Sequence, residues 1–199
     1  MNFIRSLLFS IYFILTTFLL GLLIFPNLLK KDKKEAFDQL GKFWTKAVLW
    51  GLKHITKIDW KIKGLENMPE NGICVIAGKH ESTWETLVLH ATLKTTPAFV
   101  LKKELLNIPI FGQALAYTNN IAIDRNGSAD ALKLVMKKAK EAMERGHSVV
   151  IFPQGTRVPV HATTEKYPYK TGIIGLVKYL KADVVPMVLN SGMYWSKRQ

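Results

Sequence analysis

An imidazole and a carboxylate stand five positions apart in the stretch GKHESTWETL, residues 78–87: His80 and Glu85. Five residues turn a regular helix by roughly 500°, which would leave the two side chains about 140° apart. They meet only where the backbone bends between them. The apolar run ICVIAG ahead of them reads as a strand ending near Gly78. His80 then lies on the loop that leaves the carboxyl edge of a sheet, where α/β folds place their sites. Ser82 or Thr83 caps the next helix, and Glu85 falls in its first turn. A carboxylate so held fixes the tautomer of the imidazole and raises its basicity, preparing it to take a proton from an alcohol. The competing reading is a surface histidine beside a helix-capping glutamate.

Other chemistries fit less well. A zincin needs His-Glu-x-x-His, and Trp84 occupies the place of its second histidine. There is no Gly-x-Ser-x-Gly elbow and no P-loop. Cys74, the one cysteine, falls inside an expected buried strand and reads as a core thiol. Two further stretches end strands with arginine: NNIAIDRNG with Asp124 and Arg125, and VVIFPQGTR with Gln154, Gly155, Thr156 and Arg157. If those strands are parallel neighbours, both guanidinium groups reach the same edge as His80, at adjacent strand ends. Two converging guanidinium groups suit a phosphate or carboxylate, whose oxygens they grip in bidentate fashion. Singly, each is equally a solvated strand-end charge.

The elements that must position these groups follow from periodicity. Short β-rich runs at 58–63, 73–77, 98–102, 121–124, 148–152 and 184–189 alternate with helical patterns at 84–93, 110–117, 128–145 and 172–180. In the third helix Leu132, Val135, Met136, Ala139 and Met143 share one side. Such alternation predicts an α/β fold with a mixed, largely parallel central sheet flanked by helices. The polar loop from Arg157 to Gly172, with two prolines, is the longest irregular piece and borders the expected site.

The first 29 residues are of another kind. No side chain from Ser6 to Leu29 is charged, a length that matches a bilayer core. Arg5 precedes the run and the lysine-rich KKDKK follows it, so the positive-inside rule puts the remaining chain on the cytoplasmic side. Residues 1–29 are therefore expected to be a membrane-anchoring helix and residues 57–199 the folded domain. Between them, 30–56 carry a stripe of Phe37, Leu40, Phe43, Trp44, Ala47, Val48 and Leu52 among basic residues. This segment reads as an interfacial amphipathic helix leaning on lipid or on the domain; an ordinary core helix shows the same pattern.

Composition agrees with a single domain. The chain has 199 residues, 48% hydrophobic, enough for a substantial core. A single cysteine excludes an internal disulfide and points to a reducing compartment. Twenty-eight Lys and Arg against 15 Asp and Glu leave a net charge of +13, which attracts anionic partners. Anionic membrane lipid explains both the charge and the apolar anchor; nucleic acid would explain only the charge, so no nucleic-acid partner is expected.

Taken in order, His80 with an acid at the fifth position, KKEL before IPIFG, AIDR, FPQGTR and VVPMVLNSG match the motifs of the glycerolipid acyltransferase family. From about Ile58 to Trp195 the chain resembles its bacterial 1-acyl-sn-glycerol-3-phosphate acyltransferases. The resemblance implies a single acyltransferase domain at the inner (cytoplasmic) membrane, which acylates the free hydroxyl of lysophosphatidic acid. The donor would be acyl-CoA or acyl carrier protein, with no metal or bound cofactor. It implies His80 as general base and Glu85 as its orienter. Lys102, Arg125, Gln154, Gly155, Thr156 and Arg157 would bind substrate, and Pro186 matches the fourth motif. Three positions depart from the family pattern: Glu85 where Asp is usual, Gln154 where FPEGTR has a carboxylate, and Asn119 where the second motif begins with glycine. Family members also continue past NSGMYWSKRQ, which leaves room for a truncated product. The alternatives are acylation of another lysolipid, or a catalytically inactive lipid-binding membrane protein.

Overall fold

Five short strands pair in one sheet: β1 (Val75–Gly78), β2 (Ala98–Lys102), β3 (Ile121–Ile123), β4 (Val149–Ile151) and β5 (Val184–Met187). Their order is β3-β2-β4-β1-β5, and every described pairing is parallel. The computed structural model describes residues 3–109, 111–124 and 129–196. Its helices are α1 (Phe3–Gly21), α2 (Ile24–Leu28), α3 (Lys33–Gly51), α4 (Trp84–Thr92), α5 (Phe111–Tyr117), α6 (Ala129–Glu144) and α7 (Gly172–Leu180).

The central strands β1 and β4 are largely buried on both faces, which is why they read as near-continuous apolar runs, whereas edge strand β5 leaves Val184 and Pro186 exposed. On one face Val75, Ala98, Ile121 and Val149 pack against Val135, Ala139 and Ala142 of α6 and Leu176 of α7. On the other, Cys74, Ile76 and Val150 meet Leu89 of α4 and the following Leu93. The period-2 alternation in the strands and the helical stripe in α6 thus converge on one three-layer core. Burial also pushes the Cys74 thiol above its ordinary range, in keeping with an inert core residue.

A third cluster joins the N-terminal helices to this domain. Phe9 of α1, Val48 and Leu49 of α3, Leu52, and Leu87 and Val88 of α4 are all buried together. Each large side chain so buried contributes about 1.5–3 kcal/mol. Two hydrogen bonds add direction: the Tyr12 hydroxyl donates to the Ala47 carbonyl at 2.8 Å, and the Trp44 indole N–H donates to Thr17 Oγ1 at 3.0 Å. Asp32 caps α3 by accepting from the Glu35 N–H at 3.0 Å. The inner part of the α3 stripe therefore packs on protein, while Phe43 and Trp50 on the same helix are more than half exposed.

One expected strand is absent. Residues 58–63 alternate as a strand does, with Ile58, Trp60 and Ile62 partly buried and the residues between them exposed. They nevertheless pair with no described strand. Leaving α3 through a π-helical turn (Leu52–Thr56) and the left-handed Lys57, the segment crosses the helical cluster of α1, α3 and α4. Alternate burial needs only one apolar surface, and here helices supply it, so the pattern arises without a ladder.

The strand order also fixes where a site can form. From β1 the chain passes through α4 toward β2, and from β4 through α7 to β5 on the opposite side. The two connections leave for opposite faces of the sheet, α4 on one and α7 on the other. They open a crevice between the carboxyl ends of β1 and β4, the position favoured for ligands in open α/β sheets.

Candidate active site

His80 follows β1 by two residues, at that crevice. Gly78 ends the strand because a side chain there would collide with β5: a Cβ would lie 2.8 Å from the Met187 carbonyl oxygen. The chain then bends, and Ser82 Oγ accepts the Trp84 N–H at 3.1 Å to start α4. This bend answers the spacing. Glu85, in the first turn of α4, reaches back so that its Oε1 lies 2.8 Å from His80 Nδ1.

Glu85 is completely buried, whereas the His80 side chain keeps 19% of its surface exposed. The dyad thus presents only its imidazole outward. Burial opposes ionisation of Glu85, but the hydrogen bond from His80, the Ser82 N–H and the imidazole charge hold its carboxyl below the ordinary range. Oε1 also accepts the N–H groups of Glu81 and Ser82, each at 2.7 Å, and Oε2 accepts the Ser191 hydroxyl at 2.9 Å. An ionised carboxylate can only accept, so His80 donates through Nδ1–H. That tautomer leaves the Nε2 lone pair free to act as a base. The ring is further held by Phe152, stacked on it at 4.1 Å between centroids and 14° between planes.

The loop after β4 packs against the loop after β1. The Val158 N–H donates to the His80 carbonyl at 2.8 Å. Gln154 is buried, and its Oε1 accepts the His80 backbone N–H at 3.4 Å while its amide donates to the Tyr167 carbonyl at 3.4 Å. Both bonds suit a neutral amide, and neither needs the carboxylate found elsewhere at this position. Gly155 adopts φ +72°, the left-handed conformation that its turn requires, with its N–H bonded to the Phe152 carbonyl at 2.8 Å. Arg157 Nη1 donates to Thr83 Oγ1 at 2.9 Å, which brings a guanidinium to the start of α4 beside the dyad. Thr156 is exposed.

The second arginine stretch is placed differently from expectation. β3 and β4 are not neighbours; β2 lies between them, and β3 is three positions from β1. At about 4.8 Å per strand, Asp124 leaves the sheet roughly 14 Å from the β1 end. Arg125 lies outside the described residues. Lys102, exposed at the end of β2, is two strands from β1. Thus His80, Glu85, Gln154, Gly155 and Arg157 come together, while Lys102 stands farther along the same edge. Sequence reasoning missed Phe152 and Ser191, and took Thr83 only as a possible helix cap, a role that Ser82 fills while Thr83 holds Arg157. Thr83 and Arg157 are 74 residues apart and Glu85 and Ser191 are 106 apart, so no local spacing signals either pair.

Past the dyad, which does not itself line it, α4 borders a cavity of about 220 Å³ with Thr86, Leu87 and His90, between the N-terminal helices and the sheet at β2. Leu20, Phe37, Trp44, Leu87, Leu101 and Phe111 are among its lining residues, and the wall is overwhelmingly apolar.

A buried acid, an oriented imidazole with a free nitrogen, and a guanidinium at the switch point of a parallel sheet make a site for base-assisted transfer to a hydroxyl group. The chain belongs to the acyltransferase family, whose sequence model matches residues 59–190. It is similar to the 1-acyl-sn-glycerol-3-phosphate acyltransferase of Pseudomonas aeruginosa, with 36% identity over 194 residues, covering 98% of this chain and 74% of that one. The Helicobacter pylori protein of the same name is 33% identical over 121 residues, covering 60% of this chain and 49% of the relative. In fold it resembles the crystal structure of the 1-acyl-sn-glycerophosphate (LPA) acyltransferase PlsC from Thermotoga maritima. The TM-score is 0.69 at 22% identity, over 94% of this chain and 74% of that one.

Proposed function

We propose that the protein acylates the free hydroxyl of 1-acyl-glycerol-3-phosphate to give phosphatidic acid for phospholipid biosynthesis, using acyl-CoA or acyl carrier protein as donor. The observation that carries this reading is the His80–Glu85 pair, with Nδ1 committed to the carboxylate and Nε2 left open. In the reaction the acceptor O–H gives its proton to Nε2 as its oxygen attacks the thioester carbonyl. The tetrahedral adduct collapses with cleavage of the C–S bond, and the departing thiolate takes the proton back from the imidazolium. Glu85 stabilises that transient cation. Arg157, steadied by Thr83, binds the acceptor phosphate, and the guanidinium geometry suits two phosphate oxygens. Gln154 and Gly155 shape the loop that carries it, and Thr156, Lys102 and Arg125 contribute further polar contacts to substrate. The apolar cavity beside α4 suits an aliphatic chain.

Phe3–Leu28 is long and apolar enough to cross a membrane, and only 17% of its most apolar window is buried in the protein. With the lysines that follow it, this supports residues 1–29 as an anchor in the inner membrane, residues 30–56 as an interfacial helix, and a domain from residue 57 on the cytoplasmic side. The exposed Phe43 and Trp50 fit contact with lipid. Incubating the purified chain with a labelled acyl thioester and a panel of lysolipids tests the function. Label should enter phosphatidic acid with lysophosphatidic acid as acceptor, and transfer to other lysolipids alone would overturn the assigned acceptor.

A further inference from the structure

Glu85 stands where the family pattern has aspartate, and its extra methylene must be accommodated in a site with no solvent access. The structure shows what the longer side chain reaches. Oε1 collects His80 Nδ1 and two backbone N–H groups, while Oε2 extends away from the crevice to the Ser191 hydroxyl, 2.9 Å away. Ser191 is itself buried and lies in the short 3-10 turn Ser191–Met193 after β5. That turn is anchored independently. The Gly192 N–H donates to Glu81 Oε2 at 3.2 Å, Ser196 bridges to Ser82, and Trp195 packs edge-on against Phe9 of α1 at 5.4 Å between ring centroids. The hydroxyl is therefore presented by a fixed backbone.

We propose that Ser191 is a positioning residue of the reaction: by clamping the outer oxygen of Glu85 it keeps the inner oxygen on His80 and moderates how strongly the imidazole holds a proton. The inference rests on the acyl-transfer reading and deepens it. A hydroxyl donating to a carboxylate withdraws part of its negative charge, so Glu85 stabilises the imidazolium less than a bare buried carboxylate would. A base that must release its proton to a departing thiolate in the same turnover benefits from that restraint. The other charged groups around the dyad are the Lys79–Glu81 pair, 3.1 Å apart, and Arg157 on Thr83. None of them bonds Ser191 Oγ, so exchange of the hydroxyl leaves their contacts in place.

Full-length protein in lipid vesicles carries the test, with Ser191→Ala, Ser191→Thr, Glu85→Asp and the double variant Ser191→Ala/Glu85→Asp. Two quantities are read against pH: the rate of acyl transfer to lysophosphatidic acid, and the rate of His80 carbethoxylation by diethylpyrocarbonate, followed by mass spectrometry. In Ser191→Ala the acid limb of both profiles should move to higher pH by on the order of half a unit. kcat should fall about fivefold with little change in acceptor KM. Ser191→Thr, which keeps the hydroxyl, should restore the wild-type limb. In Glu85→Asp the shorter side chain no longer reaches Ser191, so adding Ser191→Ala should move nothing further. A merely structural serine would lower activity at every pH without shifting the limb, and an unmoved limb in Ser191→Ala overturns the proposal, as does an equal shift in Ser191→Thr. Absence of acyl transfer in the wild type would instead overturn the proposed function, and the carbethoxylation profile would still decide the Ser191 bond.

Discussion

The rings of His80 and Phe152 lie face to face, 4.1 Å apart and 14° from parallel. β1 and β4 are hydrogen-bonded neighbours, so the residues just beyond their ends fall side by side. The stack sets the plane of the imidazole, and with it the direction of Nε2. Phe152→Leu keeps apolar volume but loses the flat face, a contact worth about 0.5–1.5 kcal/mol. kcat should fall roughly two- to tenfold while Phe152→Tyr remains near wild type, and steady-state kinetics on both variants checks this.

Removing the base is more severe. Positioned proton abstraction contributes about 10² to 10⁴ in rate, so folded His80→Ala should lose nearly all transfer. Glu85→Gln should cost less and move the acid limb of the pH profile to lower pH, because the imidazolium loses its anionic neighbour. Glu85→Asp restores the residue usual in the family and should retain measurable transfer. Full activity in folded His80→Ala would reduce the family membership to a shared fold.

Arg157 and Thr83 form a second pair to separate. Arg157→Lys should raise the KM for lysophosphatidic acid with little change for the acyl donor, since a point charge cannot reproduce a bidentate grip. Thr83→Val, which keeps shape but loses the hydroxyl bonded to Nη1, should raise the same KM by a smaller factor. An unchanged acceptor KM in both variants would remove the guanidinium from the phosphate site.

Two buried groups oppose each other in their effect on stability. Burial, with Lys42 nearby, lowers His90 on α4 from 6.5 to about 4. Burial, against the pull of Lys34, raises Asp38 on α3 from 3.8 to about 6. Between those limits His90 takes its proton only on unfolding, so its share of stability falls as pH falls. Asp38 holds its proton only when folded, so its share falls as pH rises. The two slopes nearly cancel in the wild type. Compared with the wild type in thermal unfolding from about pH 4 to 6.5, Asp38→Asn should lose more stability toward acid and His90→Gln more toward neutrality. Each slope should change by up to about one proton per molecule, while His147, also lowered by burial, is common to both.

The N-terminal segment makes a simpler prediction. Phe3–Leu28 exposes Phe3, Ile4, Leu7, Leu8, Ile14 and Phe25, among others, to its surroundings. Screening weakens surface charge but not apolar burial, so the protein should pellet with membranes in 1 M salt and leave them only in detergent. Release by salt alone would dismiss the anchor.

What was legible in the sequence was local. The apolar runs and the 3.6-residue stripe marked four of the helices and five strands within a residue or two. Burial on both faces makes the central strands continuous apolar runs, and the half-exposed β5 was legible from its β-branched residues. The bend between His80 and Glu85 was also legible, since five residues of regular helix cannot bring them together. The 58–63 run misled because alternation reports one buried face and does not say whether a strand or a helix covers it. Strand order was not written locally either: AIDR and FPQGTR both end strands, yet β2 intervenes between them. Above all, the partners that finish the site come from far along the chain. Ser191 reaches Glu85 across 106 residues and Thr83 meets Arg157 across 74, because parallel strands bring distant loops to one edge. Sequence alone supplied the acid and the base; only the packing of β1 between β4 and β5 decided which side chains hold them.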